Sequence, residues 1–198
     1  MYLTLHESEL PIRVRFGHQK TDEELARFCI ENEPLRVERD ANGELIVMSP
    51  TWSETSSKNS DLTYQLEKWV RETNSGKPFD SNGGFTLPDT SMRAADAAWI
   101  SWQRWNGLTD EQRHGFAKVC PQFVVELRSS SDPLAELQEK MQMWLANGAE
   151  LAWLIDPSRK VVEIYRPGRK PEVLEGGSCV EGDGPVGGFV LELVRIWA

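Results

Sequence analysis

Cysteine and histidine are both scarce in this chain, with three of each among 198 residues. Cys29, Cys120 and Cys179 are odd in number and widely spaced, and no CxxC or CxxH pairing exists. Neither a disulfide framework nor a structural zinc site is therefore expected, and a reducing compartment, the cytoplasm, fits best. His6, His18 and His114 fall in polar, loop-like or helix-end contexts. Ser129, Ser130 and Ser131 thus have no evident base, so a serine hydrolase is not expected and the serines read as turn and cap residues. No long apolar run occurs, so no membrane span is expected. The opening "MYLTLHESELPIRVRF" has no cationic start followed by an apolar stretch and does not read as a signal peptide. Positive charge is in deficit, with 22 Lys and Arg against 31 Asp and Glu, a net charge of −9. That balance disfavours a long-lived, non-specific grip on polyphosphate, but it leaves room for a local basic groove or a metal bridging to phosphate. "NSGK" at 74–77 lacks the spacing of a phosphate-binding loop, and Gly176-Gly177-Ser178 lacks a strand-to-helix context, so an NTPase has little support. There is no internal repeat and no low-complexity tract.

What is present reads as one domain over 1–198, with an N-terminal arm at 1–20 and a Gly-rich, β-hairpin extension at 171–198. "TDEELARFCIEN" carries a capping box, Thr21 with Glu24, and an apolar stripe through Leu25, Phe28 and Cys29. "LRVERDANGELIVMSP" is two short strands around Asn42-Gly43. In "SETSSKNSDLTYQLEKWVRETN", Leu62, Leu66, Trp69 and Val70 form one face of a longer helix. "KPFDSNGGFTLPDTSMRAADAAWISW" reads as two strands joined by a turn-rich loop at Pro88-Asp89. A short polar helix near "LTDEQRH" follows, then the strand "FVVEL". Asp132 as cap and Pro133 at the first helical position start a helix that stops at Asn147-Gly148. "ELAWLID" and "KVVEIYR" are strands joined at Pro157-Ser158. Helices flank strands throughout, so the class is α/β (α+β) around a mixed central sheet.

Three carboxylates stand where the chain is otherwise apolar. Glu126 lies inside "FVVEL", Asp96 is flanked by Ala94, Ala95, Ala97, Ala98, Trp99 and Ile100, and Glu38 ends "LRVE". Acids brought together repel each other unless a cation lies between them, and a hard divalent cation takes one or two carboxylates plus waters and phosphate oxygens. Glu38, beside a turn, also reads as a solvent-facing strand acid, and Asp96 equally as a buried acid bonding a backbone amide. In the helix after Pro133, Leu134, Leu137, Met141, Trp144 and Leu145 centre the buried face near ~320° when Leu134 is set at zero, and Lys140 falls near ~240°, on its flank. Such a lysine can lay its stem along the sheet and aim its ammonium at the strand of Glu126. Gln122 lies near enough in sequence to join. Trp99, Trp102 and Trp105 read as core and sheet-edge packing, with base stacking the functional alternative.

The order Asp, an apolar strand with Glu, then Lys resembles the PD-(D/E)xK nuclease superfamily. More closely, it is similar to a large bacterial family of restriction-endonuclease-like proteins of otherwise unassigned function. The matching stretches are "VERDANGELIVMSP", "SETSSKNSDLTYQLEKW", "GGFTLPDTSMRAADAAWIS", "CPQFVVELRSSSDPLAELQEKM", "WLANGAELAWLIDP" and "GGFVLELVRIW". The resemblance implies a restriction-endonuclease-like mixed sheet flanked by helices, with additional hairpins. It implies DNA cleavage dependent on Mg2+ or Mn2+, with Glu38, Asp96 and Glu126 as the acids holding the ion. Two departures stand out. Position 95 is Ala where the pattern has Pro, and Pro88-Asp89 reads as a turn. The "ExK" element reads Glu126-Leu127-Arg128, so either Arg128 supplies the cation or the lysine has moved to Lys140, where the resembled family carries one. Arg128 remains the secondary candidate, since guanidinium cannot act as a base. A homodimer follows by analogy with enzymes that cut two strands. The alternatives are a non-catalytic nucleic-acid-binding or protein-interaction module on the same fold, and a phosphodiesterase for small substrates.

Overall fold

The protein is described by a computed structural model covering residues 10–198. His6 and residues 1–9 of the expected N-terminal arm lie outside the described residues. In chain order the elements begin with β1 (Ile12–Val14), α1 (Asp22–Glu31), β2 (Arg36–Arg39), β3 (Leu45–Met48) and α2 (Ser53–Thr73). Next come β4 (Gly76–Asp80), β5 (Gly84–Thr86), β6 (Met92–Ala94), β7 (Ala97–Ser101), α3 (Trp102–Asn106) and α4 (Asp110–Arg113). Then follow β8 (Phe123–Leu127), α5 (Leu134–Ala146), β9 (Leu151–Asp156), β10 (Val161–Tyr165), β11 (Glu172–Glu175), β12 (Cys179–Glu181) and β13 (Val190–Glu192). They sort into two compact units interleaved along the sequence. One holds the chain to Trp52, Gly84–Ala94 and Leu108–Val119; the other holds Ser53–Gly83, Ala95–Gly107 and Cys120–Ala198.

The first unit is a five-stranded sheet in the order β1-β3-β2-β6-β5. Asn42-Gly43 turns the β2–β3 hairpin, and Gly43 takes φ +82°, a conformation that costs glycine nothing. Helix α1 starts where the capping box requires: Glu24 N–H donates to Thr21 Oγ1 at 3.2 Å and Thr21 N–H to Glu24 Oε2 at 2.9 Å. Its Leu25 and Phe28 are buried with Leu45 and Met92. Cys29, packed against that cluster, has its thiol pushed up to about 11 by burial.

The second unit is a six-stranded mixed sheet in the order β11-β10-β9-β8-β7-β4. Among these pairs β8 and β9 run parallel, joined through α5, as a parallel pair demands; the other pairs are antiparallel. All five residues of β8 are buried. Phe123, Val125 and Leu127 share a core cluster with Leu62, Leu66 and Val70 of α2. Strand alternation sends Val124 and Glu126 to the opposite face, where α5 supplies Lys140 and Trp144. The C-terminal β12 and β13 form a two-stranded sheet.

Two expectations are corrected. The stretch 76–101 forms four strands where two were expected, because turns at Asp80–Gly83 and a bend at Asp96 break it. β5 and β6 join the first unit's sheet, β4 and β7 the second's. Helix α5 begins at Leu134 with Pro133 as cap, and Asp132 does not cap it. The Asp132 carboxylate instead accepts the Ser129 N–H at 2.9 Å, closing the tight "SSSD" turn.

Candidate metal and phosphodiester site

Asp96 occupies the bend just ahead of β7 and is 8% exposed. Antiparallel pairing sets Ala97 opposite Val125. Asp96 precedes Ala97 and Glu126 follows Val125, so the two acids stand at the same end of the β7–β8 ladder. The Leu127 N–H donates to Asp96 Oδ2 at 2.8 Å, and the Asn59 amide of α2 donates to Asp96 Oδ1 at 3.0 Å. The carboxylate is thus fixed at the end of the sheet by the strand that carries Glu126 and by the helix on the α2 face.

Glu126 is 3% exposed. Lys140 Nζ lies 3.0 Å from its Oε1 and 3.2 Å from its Oε2, and the Trp144 indole N–H donates to Oε1 at 2.8 Å. An ion pair and a neutral donor therefore account for the burial of this acid; a metal is not needed to explain it. Lys140 lies on the flank of α5 as its helical phase requires, with Trp144 one turn further on. Lys140 is thus paired with Glu126, while Asp96 is held by the amide of the next residue on the strand of Glu126, Leu127.

Arg128 is engaged elsewhere. Its Nη1 donates to Asp156 Oδ2 at 2.7 Å and its Nε to the Asp132 carbonyl at 3.0 Å. Burial alone would raise the Asp156 carboxyl, but hydrogen bonds from Ser158 and Arg128 outweigh it and hold the group below its ordinary value. Asp132 is shifted the other way: burial is the main cause and the negative charge of Asp96 adds to it, while the Ser129 amide, Lys140 and Arg128 oppose it. Asp132 therefore belongs to the electrostatic neighbourhood of Asp96 and Lys140.

Glu38 lies in β2 of the first unit, 4% exposed, in an ion pair with Arg93 at 2.8 Å and accepting the Ala94 N–H at 3.2 Å. Gln122 does not join the cluster; it accepts the Ser101 N–H and donates to Glu150. Trp99 is buried in the core, and Trp105 packs on Phe79 with Lys77 over its ring. The serine run makes turn hydrogen bonds.

Sequence reasoning missed Asn59 and the polar role of Trp144. Asn59 was detectable: three residues before Leu62, seven before Leu66 and eleven before Val70, it falls inside the apolar stripe of α2. The structure buries it to 7% exposure, and among the described residues its Oδ1 has no hydrogen-bond partner. Trp144 read only as part of a core stripe, and nothing local announces where its indole N–H points.

Asp96 and Glu126 are oxygen donors of the kind a hard cation takes, and a carboxylate with about four lone-pair sites can accept N–H bonds and still ligate. Among the described residues no group of three or more Asp, Glu, His or Cys is assembled to hold an ion. Two carboxylates fit Mg2+ or Mn2+, which complete their shell with water and substrate oxygens; they do not fit a closed structural site.

A mixed sheet flanked by helices, with acids at the ends of neighbouring strands and a lysine from the crossover helix, defines a restriction-endonuclease-like protein. The Uma2 family, described as "Putative restriction endonuclease", matches residues 22–193, and the chain belongs to that family. A crystal structure from Anabaena variabilis ATCC 29413, described as "a putative nuclease belonging to DUF820", shares the fold with a TM-score of 0.73 at 20% identity, over 90% of this chain and 97% of that one. A comparison with curated proteins finds no match.

Proposed function

We propose that this protein is a metal-dependent endodeoxyribonuclease that hydrolyses DNA phosphodiester bonds with Mg2+ or Mn2+. The observation that supports the reading is that Asp96 and Glu126 stand at the adjoining ends of β7 and β8, with Lys140 paired to Glu126 and the Leu127 N–H donating to Asp96. Restriction-endonuclease-like families generally use divalent metals. Asp96 and Glu126 would hold the cation, which when bound polarises a phosphoryl oxygen and acidifies a water. Lys140 stabilises negative charge as it develops on the phosphoryl group and orients the attacking water. Arg128 is the weaker choice because its Nη1 and Nε already serve Asp156 and the Asp132 carbonyl. Glu38 enters the proposal as a third acid through the family resemblance alone.

The test is incubation with plasmid, single-stranded and branched DNA in Mg2+ or Mn2+. Cleavage that stops on chelation and in the double variant Asp96→Ala, Glu126→Ala supports the reading. Mn2+ binding undiminished in that double variant refutes it. Glu38→Gln tests the third acid: retained affinity for Mn2+ makes Glu38 only the partner of Arg93. One observation favours a second reading, a non-catalytic module on the same fold: Lys140 and Trp144 already satisfy Glu126. A folded protein that binds DNA and never cuts it under any divalent ion decides for that reading. A net charge of −9 also suits a small phosphodiester substrate, which bis-nitrophenyl phosphate would report. Cutting both strands by a homodimer is the expectation for the assembly, checked by light scattering.

A further inference from the structure

We infer that Asn59 supplies a third, neutral oxygen donor to the divalent cation held by Asp96 and Glu126. The inference rests on the metal reading above and deepens it. The Asn59 amide donates from Nδ2 to Asp96 Oδ1 at 3.0 Å, so the face it turns to Asp96 is its NH2. That fixes the other face as the carbonyl. With Nδ2 3.0 Å from Asp96 Oδ1, covalent geometry holds Asn59 Oδ1 within about 5–5.5 Å of the same carboxylate oxygen.

This oxygen is buried and has no donor among the described residues. The group is 93% enclosed, as its 7% exposure means. An unsatisfied buried carbonyl is a standing cost, and the usual remedies are a donor, a water or a cation. Its position favours the cation. Asn59 sits one turn before Leu62 on a helix whose neighbouring face is otherwise apolar, with Leu62 and Leu66 fully buried. A leucine there would complete the stripe. The chain instead places an amide that does two opposite things at once, donating to one acid of the site and presenting a bare acceptor beside it. Amide carbonyls are ordinary ligands of hard cations, and a neutral one adds coordination without adding to the repulsion between Asp96 and Glu126.

The experiment is calorimetric titration of Mn2+ into the full chain carrying Asn59→Asp or Asn59→Leu, with no DNA present. Asn59→Asp keeps an oxygen and loses the N–H donor; Asn59→Leu loses both. The expected result is affinity about tenfold tighter in Asn59→Asp and at least tenfold weaker in Asn59→Leu. Equal weakening in both overturns the inference, since Asn59 then acts only through its N–H on Asp96. Unchanged affinity in both overturns it too, with a water as the partner of Oδ1. An Asn59→Asp chain that is unfolded without metal is scored by circular dichroism: refolding on Mn2+ but not on K+ supports the inference, and no refolding overturns it. Absence of Mn2+ binding to the unsubstituted chain sinks the metal reading itself, an outcome distinct from equal binding by all three proteins, which removes Asn59 alone.

Discussion

At the scale of single residues, Glu126 and Lys140 change the sign of an electrostatic expectation. Read as one of several clustered acids, Glu126 should be better neutral when no ion is bound. With Lys140 at 3.0 Å, Glu126→Gln instead strips a largely buried ammonium of its counter-charge. We expect a loss of about 3 kcal/mol, near the low end for breaking a buried pair, because Lys140 keeps some access to water. The urea midpoint without metal measures it, and a stabilised variant would contradict the pairing. Lys140→Ala should lower cleavage on the order of 10²–10³ while Mn2+ binding is kept, because an ammonium is not a ligand. Arg128→Ala should leave cleavage close to normal; the reverse pattern would move the cation to Arg128. Asp132 supplies the pH dependence. Its carboxyl is raised by burial first and by Asp96 second. A raised folded value means that its stabilising contribution is complete below the unfolded pKa and is lost as pH rises through the folded one. Asp132→Asn keeps an acceptor for the Ser129 N–H and removes the charge, so its Tm should exceed that of the parent at pH 7 and match it near pH 3.

At the scale of elements, α5 is held by more than its apolar stripe. Gln138 donates to both carboxylate oxygens of Glu163 on β10 at 3.0 Å, and the Tyr165 hydroxyl donates to Glu163 at 2.5 Å. Burial and the adjoining Glu163 raise the Tyr165 phenol far above its usual range, so this network stays protonated on the tyrosine side. Gln138→Leu should cost about 1–3 kcal/mol by leaving a buried acid short of a donor. Because Lys140 lies two residues on and Trp144 six, cleavage should fall as well, while Mn2+ affinity holds. An unaltered urea midpoint would show that the bond does no stabilising.

Much of this element layer was legible in the sequence. The capping box at Thr21 and Glu24, the Asn42-Gly43 hairpin, the apolar run of β8 around Glu126 and the stop at Asn147-Gly148 are local signals with local causes. So is the phase of Lys140. What was not legible depends on partners distant in the chain. The "KPFD…ISW" run gave two strands where there are four, because a short apolar stretch carries no mark of which sheet receives it. Asp132 looked like a helix cap because its competing acceptor role, toward Ser129, is equally local. The pairings of Trp144 with Glu126 and of Arg128 with Asp156 span 18 and 28 residues, beyond the reach of any periodicity.

At the scale of the whole molecule, the chain passes between the two units five times: after Trp52, Gly83, Ala94, Gly107 and Val119. No single cut separates them. The order of synthesis therefore has a thermodynamic meaning. A ribosome that has delivered residues through Val119 has made every piece of the first unit but only α2, β4, β7 and α3 of the second. At that stage Leu62, Leu66 and Val70 exist without Phe123, Val125, Trp153 or Phe189, the residues that later cover them. We expect a chain stopped at Val119 to protect α1 and the β2–β3 hairpin from protease while α2 is cut, and release of the full chain to protect both. Between those two points lies a window of 79 residues, Cys120–Ala198, during which the apolar stripe of α2 lacks most of the residues that cover it. At synthesis rates of roughly 5–20 residues per second that window lasts about 4–16 seconds, long enough for holdases to compete with folding.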